Sequence, residues 1–175
     1  MSETGRIWDL LQRAYEGGDA WRCPSLRELL GSVTAAQAAA RPIPGARSLW
    51  ELLAHLTAYE DVVRRRVEGE SACSPPDEVA WPRVEDGSPA GWRQAKARFE
   101  EGHRRLRQAV AALPDSRLTD AVPGREYPVY VLLYGAVQHR LYHAGQMEML
   151  MAAQGVRPPG PTPPALRERD SVPAA

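Results

Sequence analysis

The sequence predicts an all-α protein, an antiparallel four-helix bundle whose first helix is broken. Three observations predict this fold. Apolar residues recur at three-to-four spacing in three long segments, strand-type alternation is scarce, and connections rich in Pro or Gly separate the segments. The 175 residues, 43% hydrophobic and 25% charged, are ordinary for one folded domain.

The first helix is expected over about residues 3 to 16 and to stop at Gly17 and Gly18. A shorter helix is expected to continue from Pro24 to about Leu30, after the break. A further short helix, "TAAQAAARP", runs from Thr34 towards Pro42. These pieces together supply the broken first member of the bundle and its link to the second.

The second member opens at Ser48, a predicted N-cap with Glu51 three residues later in the capping-box pattern. Its apolar positions recur every three to four residues, as expected for one buried face. They are Leu49, Leu52, Leu53, Leu56, Tyr59, Val62, Val63 and Val67.

The last two long helices have equally clear ends. Ser88 can cap one of them, Pro89 suits its first position and Pro114 ends the run. The other begins at Pro128 and ends at Gly155. In the helix that Ser88 caps, the residues expected in the core are Trp92, Ala95, Phe99, Leu106, Val110 and Leu113.

The connections suggest how the chain is organised. Residues 69–87 form a link that is long for a bundle, and links of this length are often functional or mobile. We expect residues 1–157 to form the bundle and the Pro-rich residues 158–175 to form an extended or disordered tail.

Charge and hydropathy exclude several classes of protein. Lys plus Arg and Asp plus Glu both number 22, so no global field attracts nucleic acid. The Arg-rich stretches "VVRRRVEGE" and "GHRRLRQ" are expected to be solvated helix faces, neutralised in part by neighbouring acids. These acids are Glu60, Asp61, Glu68, Glu100 and Glu101.

The N-terminus, the apolar runs and the cysteines indicate the cellular compartment and the state of the thiols. The N-terminus does not resemble a signal peptide, and no apolar run approaches the roughly 20 residues of a membrane helix, so we expect a cytoplasmic protein. Cys23 and Cys73 lie in no CxxC pair, which indicates free thiols and excludes a cysteine-based zinc site.

Three of the four histidines carry the chemistry. His139 and His143 are four residues apart, so both rings can point at one place, although many amphipathic helices carry such a pair by chance. His55 lies in the apolar stripe of a different helix, which places three imidazoles on converging inner faces. They could either hydrogen-bond one another or hold a divalent ion with open positions. His103, among charges, is interpreted as a solvated surface residue.

The segments "SLWELLAHLTAYEDVVRRRVEGE" and "QHRLYHAGQMEMLM" resemble the DinB/YfiT-like superfamily of bacterial four-helix-bundle metalloenzymes, over about residues 5 to 155. The resemblance implies an up-up-down-down bundle with a long crossover and three His ligands for zinc or nickel, here His55, His139 and His143. Members of known activity are S-transferases using mycothiol or bacillithiol, or metal-dependent hydrolases, and many form homodimers. One departure is Cys23, near where close relatives are expected to carry a His-Gly pair.

Two functions remain open at this point. The first is an enzyme in which the ion activates a bound low-molecular-weight thiol or water towards a small-molecule substrate. Tyr59, Tyr142 and Gln146 are candidate partners of the ligands or substrate, with packing as the alternative for each. Glu51 and Glu60 are possible acid/base groups, but Glu51 is equally explained as the capping-box partner of Ser48, and Glu60 is expected to be exposed. The second function is a non-enzymatic, metal- or ligand-binding dimeric bundle.

Overall fold

The computed structural model describes residues 2–17, 24–71, 74–84 and 86–157. Over these residues the chain forms helices joined by loops, with one isolated bridge between Ala121 and Pro128 and no strand. The predicted all-α class is confirmed. The elements are α1 (Glu3–Glu16), α2 (Leu26–Gly31), α3 (Ala35–Ala39), α4 (Leu49–Val67), α5 (Asp77–Ala80), α6 (Pro89–Ala111), a 3-10 helix (Asp115–Thr119) and α7 (Val129–Ala152).

Helix starts are fixed by the side chains that the sequence places there. The Ser48 hydroxyl accepts the backbone N–H of Glu51 at 3.1 Å, and the Glu51 carboxylate accepts the N–H of Ser48 at 2.8 Å, which completes the predicted capping box. Ser88 caps α6 with Pro89 in the first turn, as expected. α7 begins immediately after Pro128.

The contacts between α4 and α6 show that these two helices run in the same direction. Near their N-termini, the rings of Trp50 and Trp92 lie 5.1 Å apart. Ten residues later on each helix, Gly102 faces the Cβ of Glu60. The two helices therefore advance together along the bundle.

α1 and α7 also run parallel to each other. Tyr134 donates a hydrogen bond to Glu3 near their N-termini, and Arg140 donates to the carbonyl of Leu11 further along. α4 runs the other way, because its N-terminal half contacts the end of α7 and its C-terminal half contacts the start of α7. The four long helices follow the order up, down, down, up.

This order differs from the up-up-down-down order expected from the resemblance. The parallel pair is α4 and α6, so the connection between them must return along the whole bundle. α4 has 19 residues and is roughly 28 Å long, a distance that residues 68–88 are numerous enough to span. The long link is thus the crossover, and it carries α5 across the bundle.

Two residues expected at the surface are buried. The exposed fractions of His103 and Glu60 are 2% and 6%. Glu60 forms an ion pair with fully buried Arg140 of α7, and the ring of His103 lies 4.6 Å from that of Tyr15. Helical periodicity predicts the burial of His103 in spite of its charged neighbours, because His103 lies four residues after core residue Phe99 in the same apolar stripe.

The two Arg-rich stretches are neutralised locally, as expected, but not by every acid that we named. Arg64 pairs with Asp61 and Glu68, and Glu101 accepts from two arginines of α6. Glu60 instead pairs inside the bundle, and Glu100 pairs with Arg27.

Several expectations fall on undescribed positions. Gly18, Cys23, Cys73 and the 158–175 tail lie outside the described residues. Among the helices that the structure describes, none is long and apolar enough to cross a membrane.

Candidate metal centre

The three histidines singled out by the sequence meet between α4 and α7. The Nε2 atom of His139 lies 3.1 Å from Nε2 of His55 and 3.0 Å from Nε2 of His143. One ring nitrogen from each residue lies within 4.8 Å of the other two. His55 and His143 are buried and His139 is half-buried. The antiparallel crossing of α4 and α7 therefore brings three imidazoles to one point.

The other ring nitrogens of two of these residues are fixed by oxygen atoms. His55 Nδ1 donates to the backbone carbonyl of Ala80 at 2.8 Å, and His143 Nδ1 donates to the Gln146 side-chain oxygen at 2.7 Å. In a neutral imidazole the proton can occupy only one nitrogen. Both Nε2 atoms therefore present lone pairs towards His139.

The three facing Nε2 atoms carry too few protons to satisfy one another by hydrogen bonds. A neutral His139 with its proton on Nε2 can satisfy only one of the two facing lone pairs, whereas one cation would satisfy three lone pairs at once. Four ligands at a zinc–nitrogen distance of about 2.0–2.1 Å in a tetrahedron lie about 3.3–3.4 Å from one another. The observed separations of 3.0 and 3.1 Å are within a few tenths of an ångström of that value. The donor set fits a divalent ion.

The surroundings keep all three rings neutral, the form that binds metal. Burial lowers the pKa of His139 to about 4, helped by the nearby rings of His143 and His55 and by Arg140. Burial is also the main cause that lowers the pKa of His55 and of His143. Each ring therefore stays deprotonated at pH values where a free imidazole begins to take up a proton.

The crossover link closes one side of the cluster. α5 and the residue after it place Trp81 flat on His55, with ring centroids 3.7 Å apart and an interplanar angle of 11°. Ala80, in the same turn, supplies the carbonyl that binds His55. Neither contact was anticipated. The stacking could have been suspected, because a Trp in an otherwise polar loop is unusual. The hydrogen bond to a backbone carbonyl could not, because any residue supplies such a carbonyl.

Of the three residues considered as partners of the histidines, one forms a hydrogen bond to a histidine and two do not. Gln146 forms the hydrogen bond to His143 that was suggested for it. The ring of Tyr59 lies 4.8 Å from that of His55, and Tyr142 lies 5.1 Å from His143. In the described part of the chain, neither tyrosine forms a hydrogen bond to a histidine, so both make packing contacts.

Neither of the two acids considered as acid/base groups reaches the cluster. Glu51 is engaged by Ser48 and Arg41 at the start of α4. Glu60 binds Arg140 in the bundle interior.

Two pockets flank the histidines. The Trp81 pocket has a volume of about 360 Å³ and is mainly apolar, with walls that include Leu52, Leu150, Trp81 and His143. The Arg66 pocket has a volume of about 330 Å³, and its walls include His55, His139 and Arg66. The histidine cluster can therefore be approached from two sides.

Comparisons with known proteins agree with this fold. The sequence model of the DinB superfamily matches residues 23–147. The crystal structure of a DinB-like protein from Bacillus cereus ATCC 10987 is similar, with a TM-score of 0.56 and 19% sequence identity, covering 90% of this chain and 94% of that one. No curated protein matches the sequence significantly. The family model spans well over half of the chain, and the chain therefore belongs to the DinB superfamily.

Proposed function

We propose that this protein is a divalent-metal-dependent enzyme in which His55, His139 and His143 hold zinc or nickel. The observation that carries the proposal is the convergence of three Nε2 atoms, two of them with lone pairs fixed by hydrogen bonds on the opposite nitrogen. Such fixed rings are typical of metal ligands. An ion bound by three neutral imidazoles supplies an open Lewis-acid position that acidifies a bound thiol or water.

The reaction that the site supports best is S-transfer of a low-molecular-weight thiol to a small electrophile. The thiol loses its proton and its sulfur bonds to the electrophilic carbon, and the electrophile either takes up a proton, in an addition, or releases its leaving group, in a substitution. Hydrolysis needs one organic substrate and water, whereas S-transfer brings two organic reactants together. The Trp81 pocket and the Arg66 pocket reach the cluster from different sides, which supports two reactants. Metal-dependent hydrolysis is the second candidate, since either pocket alone could hold its substrate.

In this proposal the chain's own residues orient and shield the reactants. The carbonyl of Ala80 and the amide of Gln146 hold the rings of His55 and His143 in place. Trp81 covers the flat face of His55 and excludes water from it. The apolar lining of the Trp81 pocket favours an electrophile with an apolar or aromatic body.

A thiol panel tests the function. Zinc- or nickel-loaded protein is assayed with mycothiol, bacillithiol and simple thiols against a chromogenic electrophile, with His139→Ala as the control. Product formation that requires both thiol and metal, and is lost in the variant, is expected. A loaded protein that binds neither thiol nor exchangeable water would instead indicate the non-enzymatic, ligand-binding bundle.

We also propose that the protein forms a homodimer through α7. Away from both pockets this helix exposes large apolar side chains on one face, with Tyr130 and Leu141 exposed by 45% and 48%. Exposed apolar groups along one helix are typical of an interaction surface. Light scattering of the wild type should give twice the chain mass, and Leu141→Glu should give a monomer. A monomeric wild type at micromolar concentration would overturn this proposal.

A further inference from the structure

The side-chain amide of Gln146 lies between the histidine cluster and the Trp81 pocket. Gln146 is half-buried and lies in the wall of this pocket, three residues after His143 on α7. Its side-chain oxygen lies 2.7 Å from His143 Nδ1. One amide group therefore borders both the cluster and the space that a reactant would enter.

The contact with His143 fixes the direction in which this amide points. His143 Nε2 needs a free lone pair to bind a metal ion, so the single proton of the neutral ring is on Nδ1. A donating Nδ1–H requires the oxygen of Gln146, because the amide nitrogen is a donor and not an acceptor. The amide nitrogen is consequently turned away from His143, and its two N–H groups remain for another partner.

These two N–H groups have no protein partner. The part of the chain that the structure describes supplies no acceptor for Gln146 Nε2. This nitrogen is not one of the fully buried polar atoms that lack a hydrogen bond, so it remains accessible. A molecule in the Trp81 pocket can therefore place an acceptor oxygen against it.

The other polar groups in the wall of the Trp81 pocket have partners or face water. The Arg47 guanidinium lies 4.9 Å from the centre of the Trp81 ring, and its Nη1 atom lies 3.4 Å from the Glu51 carboxylate. Tyr142 is exposed by 64%. The rest of the described wall is apolar and consists largely of Ile43, Ala46, Leu52, Met149 and Leu150. Because the charge of Arg47 is already opposed, this wall favours a neutral acceptor over an anion.

The size and lining of the pocket narrow the acceptor to a carbonyl group on a small molecule. The volume of about 360 Å³ lies near the lower end of the roughly 300–1,000 Å³ that is typical of ligand pockets. A hydroxyl would bring a donor of its own, which the apolar part of the wall cannot accept. A carbonyl oxygen only accepts, and its two lone pairs suit the N–H groups of one amide.

We propose that the Trp81 pocket binds a small, neutral, apolar molecule that carries a carbonyl group, and that the Gln146 side-chain nitrogen donates to its carbonyl oxygen. This inference rests on the proposed function, in which an apolar electrophile occupies this pocket. It adds the functional group of that electrophile. It also assigns Gln146 two roles, since its oxygen orients His143 and its nitrogen selects the carbonyl compound.

Two ligands and one substitution isolate this hydrogen bond. Acetophenone carries a carbonyl oxygen, and α-methylstyrene has a CH₂ group in the same place with nearly the same shape. Gln146→Glu keeps an oxygen for His143 but turns a carboxylate oxygen towards the pocket, which at pH 7.5 accepts and does not donate. Gln138→Glu is the matched control, because it adds the same charge to an exposed position of α7 outside both pockets.

Saturation-transfer NMR on the zinc-loaded full chain measures both dissociation constants for each protein. The ketone preference is the dissociation constant of α-methylstyrene divided by that of acetophenone. Gln146→Glu should lower this preference by about 3- to 30-fold, because a hydrogen bond is lost and the carbonyl oxygen meets a carboxylate. Gln138→Glu should leave the preference unchanged. In chelator competition Gln146→Glu should not weaken zinc binding, because His143 retains its acceptor.

Three results would overturn the inference. They are an unchanged ketone preference in folded Gln146→Glu, an equal fall in Gln138→Glu, and binding of neither compound to the wild type. Circular dichroism checks the fold. If Gln146→Glu does not fold, the carbonyl carbon of ¹³C-labelled acetophenone on the wild type decides. Its bound signal should stay near the hydrogen-bonded position seen in water, and a bound signal at the position seen in hydrocarbon solvent would refute the hydrogen bond.

The same titrations on metal-free protein separate this inference from the proposed function, because neither ligand needs metal or thiol to bind. A ketone preference that depends on Gln146, in a protein whose zinc-loaded form gives no thiol-dependent product, would support the pocket and refute the S-transfer reaction. Thiol-dependent product formation, together with a preference that Gln146→Glu leaves unchanged, would refute the carbonyl pocket alone.

Discussion

Replacing His103 with Phe should make the metal-free protein less sensitive to acid. His103 is 2% exposed and packs against Tyr15 with the two rings tilted by 59°, and both of its ring nitrogens are buried without a hydrogen-bond partner in the described part of the chain. Burial lowers the pKa of His103 to about 2, with further lowering by Arg140, Arg107 and Arg27. The ring is therefore neutral in the folded protein.

The sign and size of the effect follow from the protons bound by each state. Below the free-imidazole pKa of about 6.5, the unfolded chain binds a proton at this position that the folded chain does not, so stability falls as the pH falls towards the folded pKa. At pH 5.0 this difference costs about 2 kcal/mol, and at pH 7.5 it costs less than about 0.1 kcal/mol. Glu16 lies 3.9 Å from His103, but its carboxylate is already engaged by Arg107 at 2.6 Å.

Urea denaturation of metal-free protein at pH 7.5 and 5.0 measures this effect. Relative to the wild type, His103→Phe should gain about 2 kcal/mol of unfolding free energy on going from the higher to the lower pH. Phe99→Leu, one turn away in the same stripe, is the control, and its effect should not change with pH. A pH-independent difference between His103→Phe and wild type would refute the reasoning, because it would mean that His103 titrates normally in the fold.

Three further predictions concern the surroundings of the site. Arg140→Met should lower the free energy of unfolding by about 3–5 kcal/mol, since Glu60 is left buried without its partner. Urea denaturation should show most of this loss recovered in Glu60→Leu/Arg140→Met, and an equal loss in both variants would contradict the argument. Gln146→Leu should weaken zinc binding by about 10- to 100-fold in chelator competition, and unchanged affinity would show that Gln146 does not orient His143. Ser48→Ala should cost about 1 kcal/mol in thermal or urea unfolding, and no measurable loss would mean that the capping box does not stabilise α4.

The helices and the histidine cluster could be predicted because both depend on local spacing. Caps such as Ser48 and Ser88 and the apolar stripes are properties of short segments. The inward position of His55 follows from the same stripe, and its meeting with His139 and His143 needed only two helices that pack together. The family resemblance supplied the expected ligand roles.

What could not be predicted depends on contacts between distant segments. The long crossover allows α4 and α6 to run parallel, and the spacing of apolar residues carries no information about helix direction. Burial of Glu60 requires Arg140, which is 80 residues away in the chain. The stacking of Trp81 on His55 depends on how the crossover lies over α4, which no local pattern specifies.

The wrong prediction for His103 has a different cause. The prediction of a surface position rested on its charged immediate neighbours, whereas the helical period aligns it with Phe99 and Leu106. A position three or four residues from two core residues is a better guide to burial than its neighbours in sequence. The same rule separates buried Arg66 from the half-buried Arg64 and Arg65 that precede it.

Metal stoichiometry tests the central claim most directly. Purified wild type and the four single histidine variants, His55→Ala, His139→Ala, His143→Ala and His103→Phe, are titrated with zinc in competition with a chromophoric chelator, and bound metal is measured after gel filtration. The wild type and His103→Phe should each bind one ion per chain, and the other three variants should lose tight binding. Retention of full, tight binding in His139→Ala would contradict the three-histidine centre.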